Sequence, residues 1–375
     1  MILPGKTIGI LGGGQLGRMF AIAARRLGYR VHALDPATDC PAGQVADLEI
    51  NARYDDLPAA RAFASGVDVV TFEFENVPAD TLAAIERVRP VRPSPFVLET
   101  TRHRLREKGF LSGAGFPVAP YRATRSADDL RHAIVDLGTP CILKTAEFGY
   151  DGKGQVKIGD PSQADDAFAQ LRGALGVLEG FVRFDREISV IVARTHDGQT
   201  RCFTPFENVH RNHILDLTTT LPASDPLFSP AQQLAERIAG AIGLVGVLCV
   251  EMFARGEELI VNELAPRPHN SGHLTIDACV TCQFEQQLRA VCGLPLGDPS
   301  LQVPAAAMAN LLGDVWSQGE PRWDRALAIE GVKLHLYGKH DARPGRKMGH
   351  LTATATSLEE AKHKVLTARQ SLTAR

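Results

Sequence analysis

Residues 7–35, TIGILGGGQLGRMFAIAARRLGYRVHALD, allow few folds. An apolar run holding Ile8 and Ile10 enters Gly12, Gly14 and Gly17, spaced Gly-x-Gly-x-x-Gly. Leu16, Met19, Phe20, Ala23, Ala24 and Leu27 then recur at the spacing of one helix face, and Gly28 stops the helix. A second apolar run, Arg30 to Leu34, ends at Asp35. Strand, glycine turn, helix and strand open a parallel α/β sheet. The glycines let backbone amides approach an anion at a helix N-terminus. Asp35, 18 residues beyond Gly17, stands where a ribose-binding acid is expected. Three readings stay open: a dinucleotide, another phosphate ester, or a tight turn without a ligand.

Val67 to Phe74 is a third buried strand, with Glu73, Glu75 and Asn76 at its C-terminal end, where such sheets bind ligands. Pro78 starts a helix over 79–87, and the proline-spaced Val91–Pro95 closes this unit. The 375 residues are 44% hydrophobic with a net charge of −2, which supports a large core and argues against wholesale nucleic-acid or membrane binding. The first apolar run breaks into glycines and does not read as a signal peptide. Nothing is long and apolar enough to span a membrane. Seven cysteines, an odd number scattered from Cys40 to Cys292, form no disulfide framework and point to a reducing cytoplasm.

Thr101 to Leu111 is a polar, basic helix with Arg104 and Lys108 on one face at i, i+4; a solvated helix and a functional face are both open readings. Cys141 to Ile158 reads strand–loop–strand, with Lys144 on the first strand and Gly149, Gly152, Lys153 and Gly154 in the loop. A Walker A loop needs Gly-Lys-Ser/Thr and then a helix; this loop runs into a strand and suits a flap over phosphates. Glu179 and Glu187 follow, each beside or within an apolar strand.

Val247–Phe253 and Leu259–Glu263 are strands around a turn at Arg255-Gly256. Glu251 and Glu263 share a face only if the register has even parity. Two acids in apolar strands repel unless a cation joins them, and all-oxygen ligands, with Asn262 beside them, suit Mg²⁺. Pro268 and Gly272 make a helical His269/His273 metal pair improbable, and Cys279-x-x-Cys282 reads as packing on a helix. Strands are expected at 304–312 and 331–337, then a basic, phosphate-suited loop from Lys339 to His350 with Arg343, Arg346 and Lys347, and an amphipathic helix over 358–372.

The stretches GGGQLGRM, TFEFENVP, KTAEFGYDGKGQ, LEGFVRFDREIS, VNELAPRPHNSGH and RPGRKMGH, in that order, make the chain resemble the ATP-grasp enzymes. Within them it is similar to the purine-biosynthetic branch that carboxylates 5-aminoimidazole ribonucleotide. The resemblance implies an α/β fold, α+β in part. A Rossmann-like pre-ATP-grasp domain would occupy 1–103, a small lid domain 104–183, and a mixed α+β domain 184–375. ATP and Mg²⁺ are the implied cofactors, with Mn²⁺ as substitute ion. Arg104, Lys144, Gly149, Tyr150, Asp151, Gly152, Lys153, Gly154, Gln155, Glu179, Gly180, Phe181, Val182, Glu187, His210, Asn262 and Glu263 would hold the nucleotide, and Glu251 and Glu263 the metal. Tyr150, Asp151, Lys153, Arg267 and His269 would serve catalysis. Gln15, Leu16, Glu73, Asn76, Arg267, His269, Asn270, Lys339, Arg346 and Lys347 would line the ribotide pocket. A cytoplasmic homodimer acting on small molecules is implied. The flap departs slightly from the family pattern, which often has two glycines where Phe148 precedes Gly149 here. Rival readings are a ligase forming formyl phosphate for glycinamide ribonucleotide, an NAD oxidoreductase, and a non-catalytic nucleotide binder.

Overall fold

Thr7–Leu11 (β1) is the central strand of an N-terminal parallel sheet, buried on both faces. In this computed structural model, which describes residues 1–147, 149 and 153–373, the sheet runs Leu48–Asn51 (β3), Arg30–Asp35 (β2), β1, Val69–Phe72 (β4). Ile8 pairs with Val31 on one side and Val69 on the other. Gly12 has φ +108, a backbone conformation that side chains rarely adopt, and helix Gln15–Arg26 starts three residues later. Its buried face meets helix Gln283–Cys292 through Met19, Phe20, Phe284, Leu288 and Val291. Burying Phe284 alone is worth about 3 kcal/mol, so Phe284→Ala would loosen the seam.

The fully buried Gln287 crosses the same seam. Its Nε2 donates to Thr71 Oγ1 at 2.8 Å, and its Oε1 accepts Val247 N–H at 2.6 Å. One side chain therefore ties the N-terminal sheet to the strand that carries Glu251.

A small antiparallel sheet follows: Tyr121–Thr124 (β5), Gly176–Gly180 (β8), Cys141–Thr145 (β6), Gln155–Ile158 (β7). Cys141, Leu143 and Leu178 bury one face against Leu130, Ile134 and Ala167. Period-2 alternation then leaves Lys144 and Glu179 on the other face.

The third sheet has nine strands, ordered Glu258–Ala265 (β14), Gly246–Arg255 (β13), Arg186–Arg194 (β9), Phe206–Arg211 (β11), Ile214–Thr220 (β12), Ala305–Leu312 (β15), Lys347–Ala355 (β17), Val332–Leu336 (β16), with Thr200–Cys202 (β10) beside β9. Leu248, Val250 and Met252 face helix Phe228–Ala241, so Cys249 and Glu251 point to the opposite side. No helix among the described residues is long and apolar enough to cross a membrane.

Three expectations fail. Thr101–Leu111 is not one helix: a helix ends at Thr101 and another runs Arg104–Gly113, where Lys108 is buried against Glu179 of the small sheet and Glu107 against Leu264 of the strand Glu258–Ala265. Cys279 and Cys282 do not share a helix, since Thr275–Ala278 ends before Cys279 and the next helix begins at Gln283. The basic loop stops at Arg346; Lys347 begins β17, whose small and β-branched residues pair with β15.

Candidate active site

Glu73, just beyond β4, fills the glycine turn. Its Oε1 accepts Gly14 N–H at 2.5 Å, and its Oε2 accepts the N–H groups of Leu16 and Gly17, each at 3.0 Å. A Cβ on Gly14 would lie 2.6 Å from that carboxylate. Asp35 also turns inward, accepting Gly13 N–H at 2.6 Å and the Tyr54 hydroxyl at 2.7 Å. The amides that would greet a pyrophosphate are thus held by the chain's own acids. Gln15, the next residue, accepts from Lys339 Nζ at 2.6 Å, and the same ammonium donates to the Lys347 carbonyl at 2.7 Å. The glycine turn and the basic loop, more than 300 residues apart, meet here. Arg346 reaches the Asp341 carbonyl at 2.9 Å. Asn76 is half-buried beside this region's strand end.

On the small antiparallel sheet, Lys144 donates to Glu179 at 2.9 Å, and Lys108 lies 3.4 Å from the same oxygen. All three side chains are buried. Burial pulls the Lys144 ammonium down, and the Glu179 charge acts against that. Burial also works against the Glu179 carboxylate, but Lys144 and Lys108 hold it below the usual range. Thr145 N–H donates to the Gly154 carbonyl at 2.8 Å, and Gly149 sits where a Cβ would come 3.2 Å from Arg104. Gln155 contacts His213 at 3.1 Å. Lys153 is exposed in the same turn. Tyr150, Asp151 and Gly152 lie outside the described residues. After Glu179, Gly180 N–H bonds to the Pro120 carbonyl at 2.9 Å, and Phe181 sits under Lys157, 4.6 Å from its ring centre, with half-buried Val182 next.

Glu251 and Glu263 face each other across β13 and β14. Near the turn the pairing is Arg255 with Glu258 and Met252 with Val261, a register that would set Glu251 opposite Asn262 and send Glu263 to the far face. A bulge at Asn262 shifts the register by one and brings Glu263 opposite Glu251. Arg104 lies 3.4 Å from Glu263, and His269 Nε2 lies 2.8 Å from Glu251. That ion pair holds His269 protonated against the cost of burial, with Cys249 and Glu251 beside it, and keeps Glu251 ionised. Two carboxylates on one face, an amide oxygen in the bulge and cations at the rim fit an oxygen-ligated divalent cation. Glu187 meets His210 at 2.9 Å on the neighbouring strands.

Arg267 pairs with Glu75 at 2.7 Å. Asn270 is buried, and neither polar atom of its side chain has a hydrogen-bond partner among the described residues. His273 diverges from His269: it is fully buried and contacts Gln283 at 3.2 Å. Behind His269 runs a buried polar chain. Thr218 Oγ1 donates to Asn208 at 2.9 Å, Asn208 to Ser189 at 2.8 Å, and Ser189 to Ser271 at 2.8 Å; Ser271 Oγ lies 2.9 Å from His269 Nδ1. Sequence reasoning missed this chain because its links come from four separate segments. It also missed the role of Lys108, although the i, i+4 spacing from Arg104 placed both cations on one face.

Models of three domains match the chain: the ribonucleotide synthetase preATP-grasp domain at residues 5–102, the ATP-grasp domain at 109–284, and the phosphoribosylaminoimidazole carboxylase C-terminal domain at 306–364. The N5-carboxyaminoimidazole ribonucleotide synthase of Bacillus subtilis is 46% identical over 355 residues, covering 94% of this chain and 92% of the relative. An ADP complex of an N5-carboxyaminoimidazole ribonucleotide synthetase superposes with a TM-score of 0.92 at 43% identity, covering 98% of this chain and 97% of the other. The Aspergillus clavatus synthase in complex with ADP and 5-aminoimidazole ribonucleotide superposes with a TM-score of 0.89 at 30% identity, covering 98% of each chain.

Proposed function

The chain belongs to the N5-carboxyaminoimidazole ribonucleotide synthase family of ATP-grasp ligases, and on that premise we propose how its residues divide the ATP-dependent carboxylation of 5-aminoimidazole ribonucleotide by bicarbonate. The products are N5-carboxyaminoimidazole ribonucleotide, ADP and phosphate. The observation that carries the assignment is the register shift at Asn262, which puts Glu251 and Glu263 on one face with Arg104 and His269 at their rim.

Bicarbonate is a poor electrophile. Transfer of the γ-phosphoryl group makes carboxyphosphate, and the charge on that group must be neutralised as it moves. Arg104 and Lys144 would do this, from the helix Arg104–Gly113 and the strand Cys141–Thr145. Glu251, Glu263 and Asn262 would hold Mg²⁺, or Mn²⁺ in its place, which supplies further charge neutralisation when bound. Glu179, Gly180, Phe181 and Val182 form the adenine wall, with Glu187 and His210 toward the ribose. Gly149 to Gln155, including Tyr150, Asp151 and Lys153, would close over the phosphates, since carboxyphosphate decays in water.

Lys339, Arg346 and Lys347 hold the ribotide phosphate against Gln15, Leu16, Glu73 and Asn76. Arg267, His269 and Asn270 face the reacting atoms; the unpartnered amide of Asn270 supports its place there. The exocyclic amine attacks the carboxyl carbon, phosphate leaves, and the amine loses a proton. The same resemblance supports a cytoplasmic homodimer, which sedimentation of the full chain tests. Glu251→Gln and Glu263→Gln test the division of labour: each should abolish phosphate release while leaving the fold intact by circular dichroism. Retained turnover in both would overturn it.

A further inference from the structure

Cys249 stands two residues before Glu251 on β13, so both side chains leave the same face of the sheet. That face also receives His269, which follows β14. Cys249 Sγ, a Glu251 oxygen and a His269 ring nitrogen lie within 4.8 Å of one another, the group of this kind among the described residues. A thiol is out of place in a site for Mg²⁺, whose ligands are oxygens. Thiolate, imidazole and carboxylate together are the donor set of zinc and its neighbours in the transition series.

We propose that Cys249, Glu251 and His269 form a binding site for a thiophilic divalent cation, zinc above all, and that its occupation shuts off the Mg²⁺-dependent reaction. The site is empty. Three arguments support it. Two donors come from one rigid strand, β13, and the third from His269 at the start of the short turn after β14, so the backbone fixes where each is attached. Ligands of a tetrahedral zinc ion stand about 3.5 Å apart, so the group must contract by about 1 Å while His269 and Glu251 open slightly around the ion. Second, Ser271 holds His269 Nδ1, with its Oγ at 2.9 Å and its backbone N–H donating at 3.3 Å, which leaves Nε2 aimed at the other two donors. Third, the wall behind Cys249 is apolar, lined by Ile191, Phe206 and Ala265, while the side chains of Glu251 and His269 are 14% and 15% exposed. Water therefore reaches the ion from the cleft alone, which gives three protein ligands and one open position.

The ion displaces the thiol proton and the imidazolium proton to solvent. It also removes Glu251 from its pairing with Glu263 and fixes His269 on the metal. Binding stands on the three donors; the shut-off rests on the reading that Glu251 holds Mg²⁺. The variant Cys249→Ala separates the two, because Cys249 has no part in the proposed chemistry.

The test uses the full chain in two measurements. The first is titration with Co²⁺ without Mg²⁺, read by the thiolate-to-cobalt charge-transfer absorption in the near ultraviolet. The second is Zn²⁺ inhibition of phosphate release at fixed Mg²⁺, ATP, bicarbonate and ribotide. The expected result is one equivalent of Co²⁺ with a thiolate band, lost in Cys249→Ala and kept in Cys282→Ala. Zn²⁺ inhibition should weaken at least about tenfold in Cys249→Ala, the floor set by losing only an outer-sphere partner. Cys249→Val, closer in volume, serves if the alanine variant is unstable. No thiolate band, or equal inhibition of the parent and Cys249→Ala, overturns the proposal. A band without inhibition upholds the cation site and overturns the assignment of Glu251 to Mg²⁺.

Discussion

Glu73 accepts the backbone N–H of Gly14 at 2.5 Å. A sequence that spells a dinucleotide fingerprint thus folds with an internal carboxylate where a pyrophosphate would sit, and the helix N-terminus is satisfied before any ligand arrives. Glu73→Gln keeps one acceptor and turns an amide N–H₂ toward backbone donors. We expect a loss of about 1–3 kcal/mol in thermal unfolding and a raised KM for the ribotide with that for ATP little changed. NAD binding by the parent chain, seen by fluorescence titration, would contradict this reading.

Lys144 and Glu179 form a buried pair with Lys108 behind them. Lys144→Met leaves Glu179 with one cation. The expected cost is about 3 kcal/mol, at the low end for a broken buried pair because Lys108 remains. The KM for ATP should rise at least as much as kcat falls. An unshifted melting temperature with an unchanged KM would remove Lys144 from the phosphate site.

The buried chain Thr218–Asn208–Ser189–Ser271 ends on His269. Ser271→Ala frees the imidazole to rotate. A drop of about tenfold in kcat with ATP affinity held is expected, the scale on which such supporting partners act. The pH profile of kcat should shift as well, which a merely structural loss would not produce.

Glu107 is buried beneath the site and accepts Leu264 N–H at 2.6 Å. Burial pushes its carboxyl up to about 8, with the Lys108 charge pulling the other way. The folded chain therefore holds a proton that the unfolded chain has released above the ordinary value of 4.5. That contribution is full below pH 4.5 and is lost as pH rises toward 8. Glu107→Gln should melt higher than the parent at pH 8, by on the order of 2–4 kcal/mol, and equally at pH 4.5. A constant difference across that window would contradict the assignment.

Lys153, exposed in the turn before β7, should matter to the second half of the reaction. Lys153→Ala is expected to lower carboxylation more than ATP binding, so that kcat falls while the dissociation constant for ATP moves little. Unchanged turnover would exclude a flap role.

Local pattern carried much of this architecture. The strand–glycine–helix opening, the lid hairpin around Lys144 and the β13–β14 hairpin all follow from period and turn residues. What pattern could not carry was register and partnership. Turn geometry alone would separate Glu251 from Glu263, and the bulge at Asn262 that unites them has no sequence mark. A solvated Lys108 stayed an open reading because its partner Glu179 lies 71 positions away on a strand of the small antiparallel sheet. The strand from Lys347 was hidden because its first residues are basic and glycine-containing, and pairing with β15 on one side and β16 on the other makes it a strand. The family resemblance supplied roles that no single motif does.

The most direct test is phosphate release from ATP and Mg²⁺, with bicarbonate and 5-aminoimidazole ribonucleotide each added or withheld. Release that rises sharply only with the ribotide, matched by carboxylated product, is the predicted result. Release stimulated instead by formate with glycinamide ribonucleotide, or by neither pair, would contradict the account.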